Sequence, residues 1–123
     1  MAEKMKLLIV DDEEALRTIM KDELTQRGYE VHDADGGQAA LDLMKSTIFD
    51  IVVLDVRMQP MDGLEVLRHI RQSNKTTRVI MLTGVDELKI AKDSLALGAD
   101  DFMTKPFQFQ NLIACINRVM KGK

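Results

Sequence analysis

The chain alternates five times between a short apolar run and a longer segment whose apolar residues recur at helical spacing, and this alternation restricts its fold more than any other feature. Three of the runs are continuous and rich in apolar residues that favour strands, namely Leu7–Val10, Ile51–Leu54 and Val79–Leu82. Such runs are typical of strands buried on both faces of a sheet. We expect a less buried strand over Tyr29–Ala34 and a short strand over Asp101–Met103.

A helix is expected after each predicted strand. The segments with helical spacing are Ala15–Leu24, Ala40–Met44, Leu64–Ile70, Leu88–Leu97 and Phe109–Met120. Asp86 and Glu87 are expected to cap the fourth of these helices. Because neighbouring parallel strands need crossover connections, this alternation favours an α/β fold in which helices cover both faces of a parallel sheet. The 123 residues contain no linker or low-complexity stretch, so we expect one domain over residues 1–123.

The composition is that of an acidic globular domain. Hydrophobic residues make up 46% of the chain and charged residues 30%, which suffices for a core and argues against wholesale disorder. The net charge is −3, so no basic excess favours direct binding of nucleic acid. The apolar run Leu7–Val10 is too short for a signal peptide or a membrane span, so we expect a cytoplasmic protein without membrane contact. The single cysteine, Cys115, excludes an internal disulfide and is expected at or near the core.

Polar and charged residues follow the predicted strands at the points where those strands end. Asp11 and Asp12 follow the first strand, Asp55 the third, Thr83 the fourth and Lys105 the fifth. In an open parallel sheet the carboxyl ends of the strands meet at one edge, where ligands bind. Any one of the aspartates, or the threonine, is by itself typical of a helix cap. Together, however, the five residues predict a functional site at this edge.

Three carboxylates at one site need a cation. Two carboxylates about 5 Å apart repel by roughly 3 kcal/mol at an effective dielectric constant of about 20, and a lysine alone does not balance three of them. A divalent cation with oxygen ligands, such as Mg²⁺, fits this donor set. A metal, an ammonium and a hydroxyl could then surround a phosphoryl group. We therefore predict a phosphoryl-transfer site in which Asp11 and Asp12 hold the metal and Asp55 is the nucleophile that forms an aspartyl phosphate.

Five segments match the pattern of one family, in order and at the family's spacing. They are Leu8–Glu13, Leu54–Met58, Met61–Gly63, Met81–Gly84 and Gly98–Phe107. Over essentially its whole length the chain resembles the receiver domain of two-component response regulators, and within that family the single-domain chemotaxis regulators. The resemblance implies a flavodoxin-like (βα)5 fold, a doubly wound parallel sheet of five strands in the order 2-1-3-4-5 with helices on both faces.

The resemblance also implies a role for each acidic residue of the predicted site. Asp55 matches the phosphoryl acceptor of the family. Asp12 matches the direct Mg²⁺ ligand, and Asp11 a ligand that binds directly or through water. With Asp55 and the backbone carbonyl of Arg57, these residues would complete the set of protein ligands to Mg²⁺.

Further positions match the parts of the family that respond to phosphorylation. Thr83 matches the switch hydroxyl, Lys105 the ammonium that pairs with the phosphate, and Phe102 the switch aromatic residue. The Lys105–Pro106 peptide bond is expected to be cis. One position departs from the family, because Gln59 stands where a proline is usual. No site residue is lost by this departure.

The resemblance implies a signalling switch rather than an enzyme. A histidine kinase or a histidine phosphotransfer protein would donate the phosphoryl group, and the surface formed by the fourth helix, fifth strand and fifth helix would then bind a downstream target protein. We expect a monomer or a weak, phosphorylation-dependent dimer. Because the chain ends at Lys123, just after the last predicted helix, we favour a stand-alone receiver. The alternative is a receiver from a longer regulator with a DNA-binding or other output domain.

Three other classes of protein fit the sequence less well. A phosphatase of the haloacid dehalogenase type needs a second aspartate two residues after its nucleophile, where this chain has Arg57. A flavodoxin needs small or hydroxyl residues after the first strand to bind phosphate, and Asp11 and Asp12 would repel it. A structural pseudo-receiver typically lacks a site residue, and none is missing from this sequence.

Overall fold

The computed structural model, which describes residues 4–122, contains the predicted alternation of strands and helices. The strands are β1 (Lys6–Val10), β2 (Glu30–Ala34), β3 (Ile51–Asp55), β4 (Arg78–Thr83) and β5 (Asp101–Thr104). The helices are α1 (Glu14–Gln26), α2 (Gly37–Ser46), α3 (Gly63–Ser73), α4 (Leu88–Ala96) and α5 (Phe109–Lys121). Neighbouring strands pair in parallel in the order β2-β1-β3-β4-β5. The predicted fold and strand order are therefore confirmed.

The hydrophobic core lies on both faces of the sheet, because successive residues of a strand point to opposite sides. On one face, Leu8 and Leu54 belong to a cluster with residues of α2 and α3. On the other face, Leu7 and Val53 belong to a cluster with residues of α1 and α5. All residues of the central strand β3 are buried. This double cover explains why the central strands are continuous apolar runs. Within residues 4–122, no helix has both the length and the apolar character needed to cross a membrane.

The ends of the strands and helices differ from the predicted bounds by at most three residues, and two of these differences concern the site. Asp55 and Thr83 are the last residues of β3 and β4, not the first residues of the loops that follow. A short 3-10 turn, Val85–Glu87, precedes α4. The end of α4 is marked by Gly98, whose φ of 110° lies in the left-handed region that favours glycine.

The start of α3 packs directly against the end of β3. The side chain of Asp62 accepts a hydrogen bond from the N–H of Glu65 at 3.0 Å, and the Glu65 carboxylate accepts the N–H of Asp62 at 3.5 Å. This reciprocal capping fixes the first turn of the helix. The N–H of Gly63 donates to the carbonyl of Val56 at 2.8 Å. A side chain at Gly63 would collide with the backbone oxygen of Asp55, so glycine permits this close approach.

Candidate functional site

Three aspartates form a cluster at the carboxyl ends of β1 and β3. Each of Asp11, Asp12 and Asp55 offers a carboxylate oxygen, and these oxygens all lie within 4.8 Å of one another. Asp11 and Asp55 are buried, whereas Asp12 is exposed. Asp11 is held in place because one of its oxygens accepts the N–H of Glu13 at 2.9 Å. The structure therefore brings together the three carboxylates that the sequence places after these strands.

The ammonium of Lys105 lies against two of these carboxylates. Its Nζ is 2.9 Å from Oδ2 of Asp11 and 3.4 Å from Oδ1 of Asp55. The backbone N–H of Lys105 donates to the carbonyl of Thr83 at 2.7 Å, which fixes the loop after β5 to the end of β4. Burial lowers the pKa of Lys105, but the hydrogen bond and charge of Asp11 and the charge of Asp55 outweigh it, so the pKa is raised. The Lys105–Pro106 peptide bond is cis.

Burial and, after it, the negative charge of the cluster disfavour ionisation of Asp55. Burial is the largest cause, followed by the charge of Asp11, and together they raise the pKa of the Asp55 carboxyl from its ordinary value of 3.8 to about 6. The charge of Lys105 and its hydrogen bond act in the opposite direction, as does the hydrogen bond from the N–H of Arg57, but they do not offset it. The cluster thus sets three carboxyl groups against the one ammonium of Lys105. Its all-oxygen donor set fits a hard divalent cation.

An open pocket of about 260 Å³ surrounds this cluster. Its walls are formed by Asp11, Asp12, Glu13, Asp55, Arg57, Gly84, Asp86, Glu87 and Lys105. Neither Gly84 nor Glu87 is predicted at the site from the sequence. The only indication of Glu87 in the sequence is the acidic pair that follows β4, and that pair is more simply explained as a helix cap.

The Arg57 side chain and Glu87 form an ion pair in the pocket wall. Nε of Arg57 lies 2.6 Å from Oε2 of Glu87, and the N–H of Gly84 donates to Oε1 of Glu87 at 3.0 Å. The hydrogen bond to Glu87, followed by its charge, raises the pKa of the Arg57 guanidinium above its ordinary value. The Arg57 side chain is 72% exposed, whereas that of Glu87 is 10% exposed. This side-chain contact lies outside the backbone role that the resemblance implies for Arg57.

The two predicted switch residues do not line the acidic pocket. Thr83 is fully buried, and its hydroxyl donates to the carbonyls of Gly84 at 3.2 Å and Glu87 at 3.3 Å. Phe102 lies in β5, paired in register with Met81, and packs as a partly buried side chain against the core cluster on the α2 and α3 face. The structure therefore gathers Asp11, Asp12, Asp55 and Lys105 in one pocket, and neither Thr83 nor Phe102 is among the residues that line it.

Comparison with known proteins identifies the family of this fold and site. Residues 7–117 match the family described as response regulator receiver domain. The chain belongs to this family. It is 38% identical over 116 residues to the alkaline phosphatase synthesis transcriptional regulatory protein PhoP of Bacillus subtilis, covering 94% of the chain and 48% of PhoP. It is also 38% identical over 117 residues to the response regulator MprA of Mycolicibacterium vanbaalenii, covering 95% of the chain and 51% of MprA.

Solved receiver structures have the same fold. The chemotaxis protein CheY4 of Vibrio cholerae superposes with a TM-score of 0.90 at 32% identity, covering 95% of this chain and 99% of CheY4. NtrX of Brucella abortus superposes with a TM-score of 0.92 at 29% identity, covering 98% of this chain and 28% of NtrX. The receiver fold thus matches both a protein of its own size and part of a much longer one. The chain spans about half the length of the curated relatives PhoP and MprA.

Gln59, which the resemblance marks as a departure from the family's pattern, lies in the loop between β3 and α3. Met58 is buried there, whereas Gln59 and Pro60 are exposed. The Gln59–Pro60 peptide bond is cis, and the sequence carries no prediction of this isomer. The loop contributes Arg57 to the pocket wall, while Gln59 does not line it. The departure therefore lies beside the acidic pocket and replaces none of the residues that form it.

Proposed function

We propose that this receiver is activated when Asp55 accepts a phosphoryl group from a phosphohistidine. The observation that carries the proposal is the juxtaposition of a buried Asp55 with Asp11, Asp12 and Lys105 at the carboxyl end of the central strand. A histidine kinase or a histidine phosphotransfer protein would be the donor. In this proposal the protein is a switch rather than an enzyme, because the group it modifies is its own carboxylate.

Mg²⁺ is the proposed cofactor, and the donor set fits it. Asp11, Asp12, Asp55 and the backbone carbonyl of Arg57 would hold the ion. When bound, Mg²⁺ would neutralise the carboxylates and take one oxygen of the phosphoryl group as a ligand. Because Asp12 is exposed, the cluster is open to solvent on one side, which would allow a metal and a phosphodonor to enter.

The proposed transfer is an in-line displacement at phosphorus. A carboxylate oxygen of Asp55 forms the new P–O bond while the P–N bond to the donor imidazole breaks, and the electron pair of that bond remains on the nitrogen. The ammonium of Lys105, already 3.4 Å from Asp55, would pair with a phosphoryl oxygen. The hydroxyl of Thr83 would leave the carbonyls of Gly84 and Glu87 and donate to a second phosphoryl oxygen. Hydrolysis of the aspartyl phosphate by water returns the protein to its initial state.

The rearrangement of Thr83 would change the surface formed by α4, β5 and α5. Thr83 is fully buried, so moving its hydroxyl alters the packing behind it. Phe102 is half-buried in the adjacent strand and would turn inward to fill the space. A covalent phosphate shifts this equilibrium by the difference in its interactions with the two conformations. A downstream target protein would bind the resulting surface.

The proposed setting is a cytoplasmic signalling pathway. We propose that the domain acts through protein contacts rather than by binding nucleic acid or a membrane, as a monomer or a weak, phosphorylation-dependent dimer. It would either act alone or transmit its conformation to an attached output domain. The relatives named as transcriptional regulators, which are about twice as long as this chain, support the second arrangement. The match to the chemotaxis protein CheY4, of similar length, supports the first.

Intact-mass measurement after incubation with acetyl phosphate tests the proposal. Wild type and Asp55→Asn are incubated with and without Mg²⁺. We expect one added phosphoryl group on wild type, with Mg²⁺ present, and none on Asp55→Asn. Labelling of Asp55→Asn to the same extent would refute the acceptor assignment. If wild type shows no adduct, beryllofluoride with Mg²⁺ is added and the NMR spectrum recorded, because it mimics a phosphoryl group that hydrolyses too fast to detect. An unchanged spectrum would then refute the proposed function.

A further inference from the structure

Among residues 4–122, two cationic side chains lie in the wall of the acidic pocket. Each of them forms an ion pair with a carboxylate. Lys105 is paired with Asp11 and Asp55. Arg57 is paired through its Nε with Glu87. A phosphoryl group carries close to two negative charges and takes up strong hydrogen-bond donors. A metal at the aspartates would relieve Lys105 of its partners, but it would leave the pair between Arg57 and Glu87 intact.

Glu87 occupies two donors of the pocket at once. One carboxylate oxygen accepts the Nε–H of Arg57 at 2.6 Å, and the other accepts the backbone N–H of Gly84 at 3.0 Å. Both donors belong to residues that line the pocket together with Asp55. The Glu87 side chain is only 10% exposed, although Arg57 itself lies mostly in solvent. The Glu87 carboxylate therefore occupies two hydrogen-bond donors, on Arg57 and Gly84, that a phosphoryl group entering the pocket could otherwise bind.

The same residue ties the pocket to the start of α4. Glu87 is the last residue of the 3-10 turn, and α4 begins at the next residue, Leu88. Its backbone carbonyl accepts the hydroxyl of Thr83 at 3.3 Å. Glu87 thus contacts Gly84 and Arg57 through its side chain and Thr83 through its backbone. A change at any of these three contacts alters how the beginning of α4 is held.

We propose that Glu87 is a positioning residue that competes with the phosphoryl group for Arg57 and for the N–H of Gly84. This inference rests on the proposed phosphorylation of Asp55. Before phosphorylation, the carboxylate of Glu87 binds the Arg57 guanidinium and the N–H of Gly84, and so holds residues 84–87 in place. A phosphoryl group on Asp55 takes over both donors, and the released Glu87 loosens the start of α4. Loss of the Glu87 charge therefore makes Arg57 available to an anionic phosphodonor and accelerates labelling.

The test compares initial rates of labelling by acetyl phosphate with saturating Mg²⁺, followed by intact mass. In this reaction an Asp55 oxygen bonds to phosphorus as the P–O bond to acetate breaks, and acetate leaves with the electron pair. Glu87→Gln retains an acceptor for the N–H of Gly84 but loses its charge. We expect it to react about three- to fivefold faster than wild type, the factor that corresponds to one ion pair whose arginine lies mostly in solvent. A rate equal to or below that of wild type would overturn the proposal.

Asp86→Asn is the matched control for charge. Asp86 lines the same pocket, but Arg57 and the N–H of Gly84 have Glu87 as their partner. If Glu87 acts only through the net charge of the pocket, both variants gain equally, and the proposal fails. We expect the gain of Asp86→Asn to stay below about 1.5-fold, because screened charges in water interact weakly. Introducing Glu87→Gln into Arg57→Ala should likewise give no more than this gain, because the guanidinium is absent.

Two further measurements separate the possible failures. If wild type is not labelled, beryllofluoride binding in the presence of Mg²⁺ replaces labelling as the readout: tighter binding by Glu87→Gln than by wild type is then expected, equal or weaker binding overturns the role of Glu87, and a wild type that does not bind beryllofluoride refutes the proposed function. If wild type is labelled and Glu87→Gln gains nothing, only the role of Glu87 is refuted. Circular dichroism establishes that each variant is folded. Should Glu87→Gln not fold, Glu87→Asp, whose shorter side chain withdraws the carboxylate from Arg57, is expected to accelerate labelling, and an unchanged rate would overturn the proposal.

Discussion

The ammonium of Lys105 lies closer to Asp11, at 2.9 Å, than to Asp55, at 3.4 Å. In the absence of a metal, this lysine therefore serves mainly as the counter-ion of a proposed metal ligand. A cation that binds Asp11 competes with Lys105 and leaves its ammonium free to interact at Asp55. In the proposed function, the same residue would weaken metal binding and would pair with the phosphoryl group, and these two effects can be measured separately.

Lys105→Ala is expected to bind Mg²⁺ more tightly than wild type. Removing one positive charge beside three carboxylates removes a competitor for the metal, and we expect a gain of about three- to tenfold, or roughly 1 kcal/mol. Isothermal titration calorimetry measures the affinity. Lys89→Ala is the control, because Lys89 is exposed and pairs with Asp93 on the surface of α4. Weaker binding of Mg²⁺ by Lys105→Ala would contradict this assignment of the lysine.

Lys105→Ala is also expected to separate phosphorylation from the change at the α4, β5 and α5 surface. The phosphoryl group would still form on Asp55, but it would lack the ammonium that draws it toward β5. Intact mass measures the extent of labelling, and amide chemical shifts of β5 report on its surroundings. Full labelling with unchanged β5 shifts is the expected result. A wild-type pattern of shift changes in the labelled variant would show that Lys105 does not couple the two events.

The raised pKa of Asp55 predicts how the metal-free protein responds to pH. Its pKa is 3.8 in the ordinary case and about 6 in the folded protein, so folding favours the protonated form. The associated stabilisation is complete below pH 3.8 and is lost as the pH rises through 6. Asp55→Asn, which cannot ionise, should therefore be more stable than wild type at pH 7.5 by about 1–3 kcal/mol, and gain little at pH 4.

Thermal unfolding in EDTA, followed by circular dichroism at both pH values, measures this difference. Asp42→Asn is the control, since Asp42 is an exposed carboxylate on α2 and its substitution should leave the melting temperature nearly unchanged. Adding Mg²⁺ should reduce the advantage of Asp55→Asn, because a bound cation compensates the charge of Asp55. An advantage that is equally large at pH 4 and pH 7.5 would mean that packing, rather than ionisation, is responsible.

Much of this fold follows from local rules. Apolar runs such as Ile51–Leu54 become central strands because only a doubly covered sheet buries both of their faces. Asp11, Asp55 and Lys105 meet because parallel strands end at one edge. The observed ends of the elements differ slightly from the predicted ends. Asp55, for example, belongs to β3 because its backbone continues the pairing of β3 with β4. These features depend on spacing along the chain, which the sequence displays directly.

The parts of the site that could not be predicted depend on side-chain directions and on contacts distant in sequence. Arg57 and Glu87 are 30 residues apart, and no periodicity indicates that they pair. The direction of the Thr83 hydroxyl is set by the carbonyls it meets, which are known only once the turn after β4 is built. The rotamer of a side chain depends on the groups that surround it in the folded structure, so residue type and spacing along the chain alone do not determine it.

Cys115 is expected to react slowly with alkylating reagents in the folded protein. Its thiol is buried on α5, with Sγ 3.6 Å from Oδ2 of Asp101. Burial, followed by the charge of Asp101, raises the pKa of the thiol to about 12, so at pH 8 the reactive thiolate is scarce. Labelling with iodoacetamide at pH 8 should be at least about 100-fold slower than in urea, because it requires local opening.

Ser46→Cys supplies an exposed thiol at the end of α2 in the same chain. In the folded double-thiol protein, peptide mapping should find modification at position 46 long before position 115. Comparable rates at the two positions would show that α5 opens readily from the sheet. Loss of the Cys115 thiol by Cys115→Ala should cost stability through the lost packing, and should not change labelling of Asp55 by acetyl phosphate.

Gly63→Ala is expected to disturb both stability and the site. A Cβ at this position would meet the backbone oxygen of Asp55 and lie 2.8 Å from Cα of Val56, and neither atom belongs to a flexible side chain. The start of α3 must therefore move away from β3, at a cost of about 1–3 kcal/mol. Because the added Cβ presses on the backbone of Asp55 itself, phosphorylation by acetyl phosphate should slow as well. Urea denaturation and intact mass measure the two effects.

Gly122→Ala is the matched control for this substitution. A Cβ there would have ordinary contacts of 3.6 Å with carbonyl oxygens of α5, and the position is remote from the acidic pocket. Its stability should change by less than about 0.5 kcal/mol, and its labelling rate should equal that of wild type. If Gly63→Ala were as stable as this control, the close packing of α3 on Asp55 would not hold in solution. If it were destabilised but labelled at the wild-type rate, that packing would support the fold without positioning the acceptor.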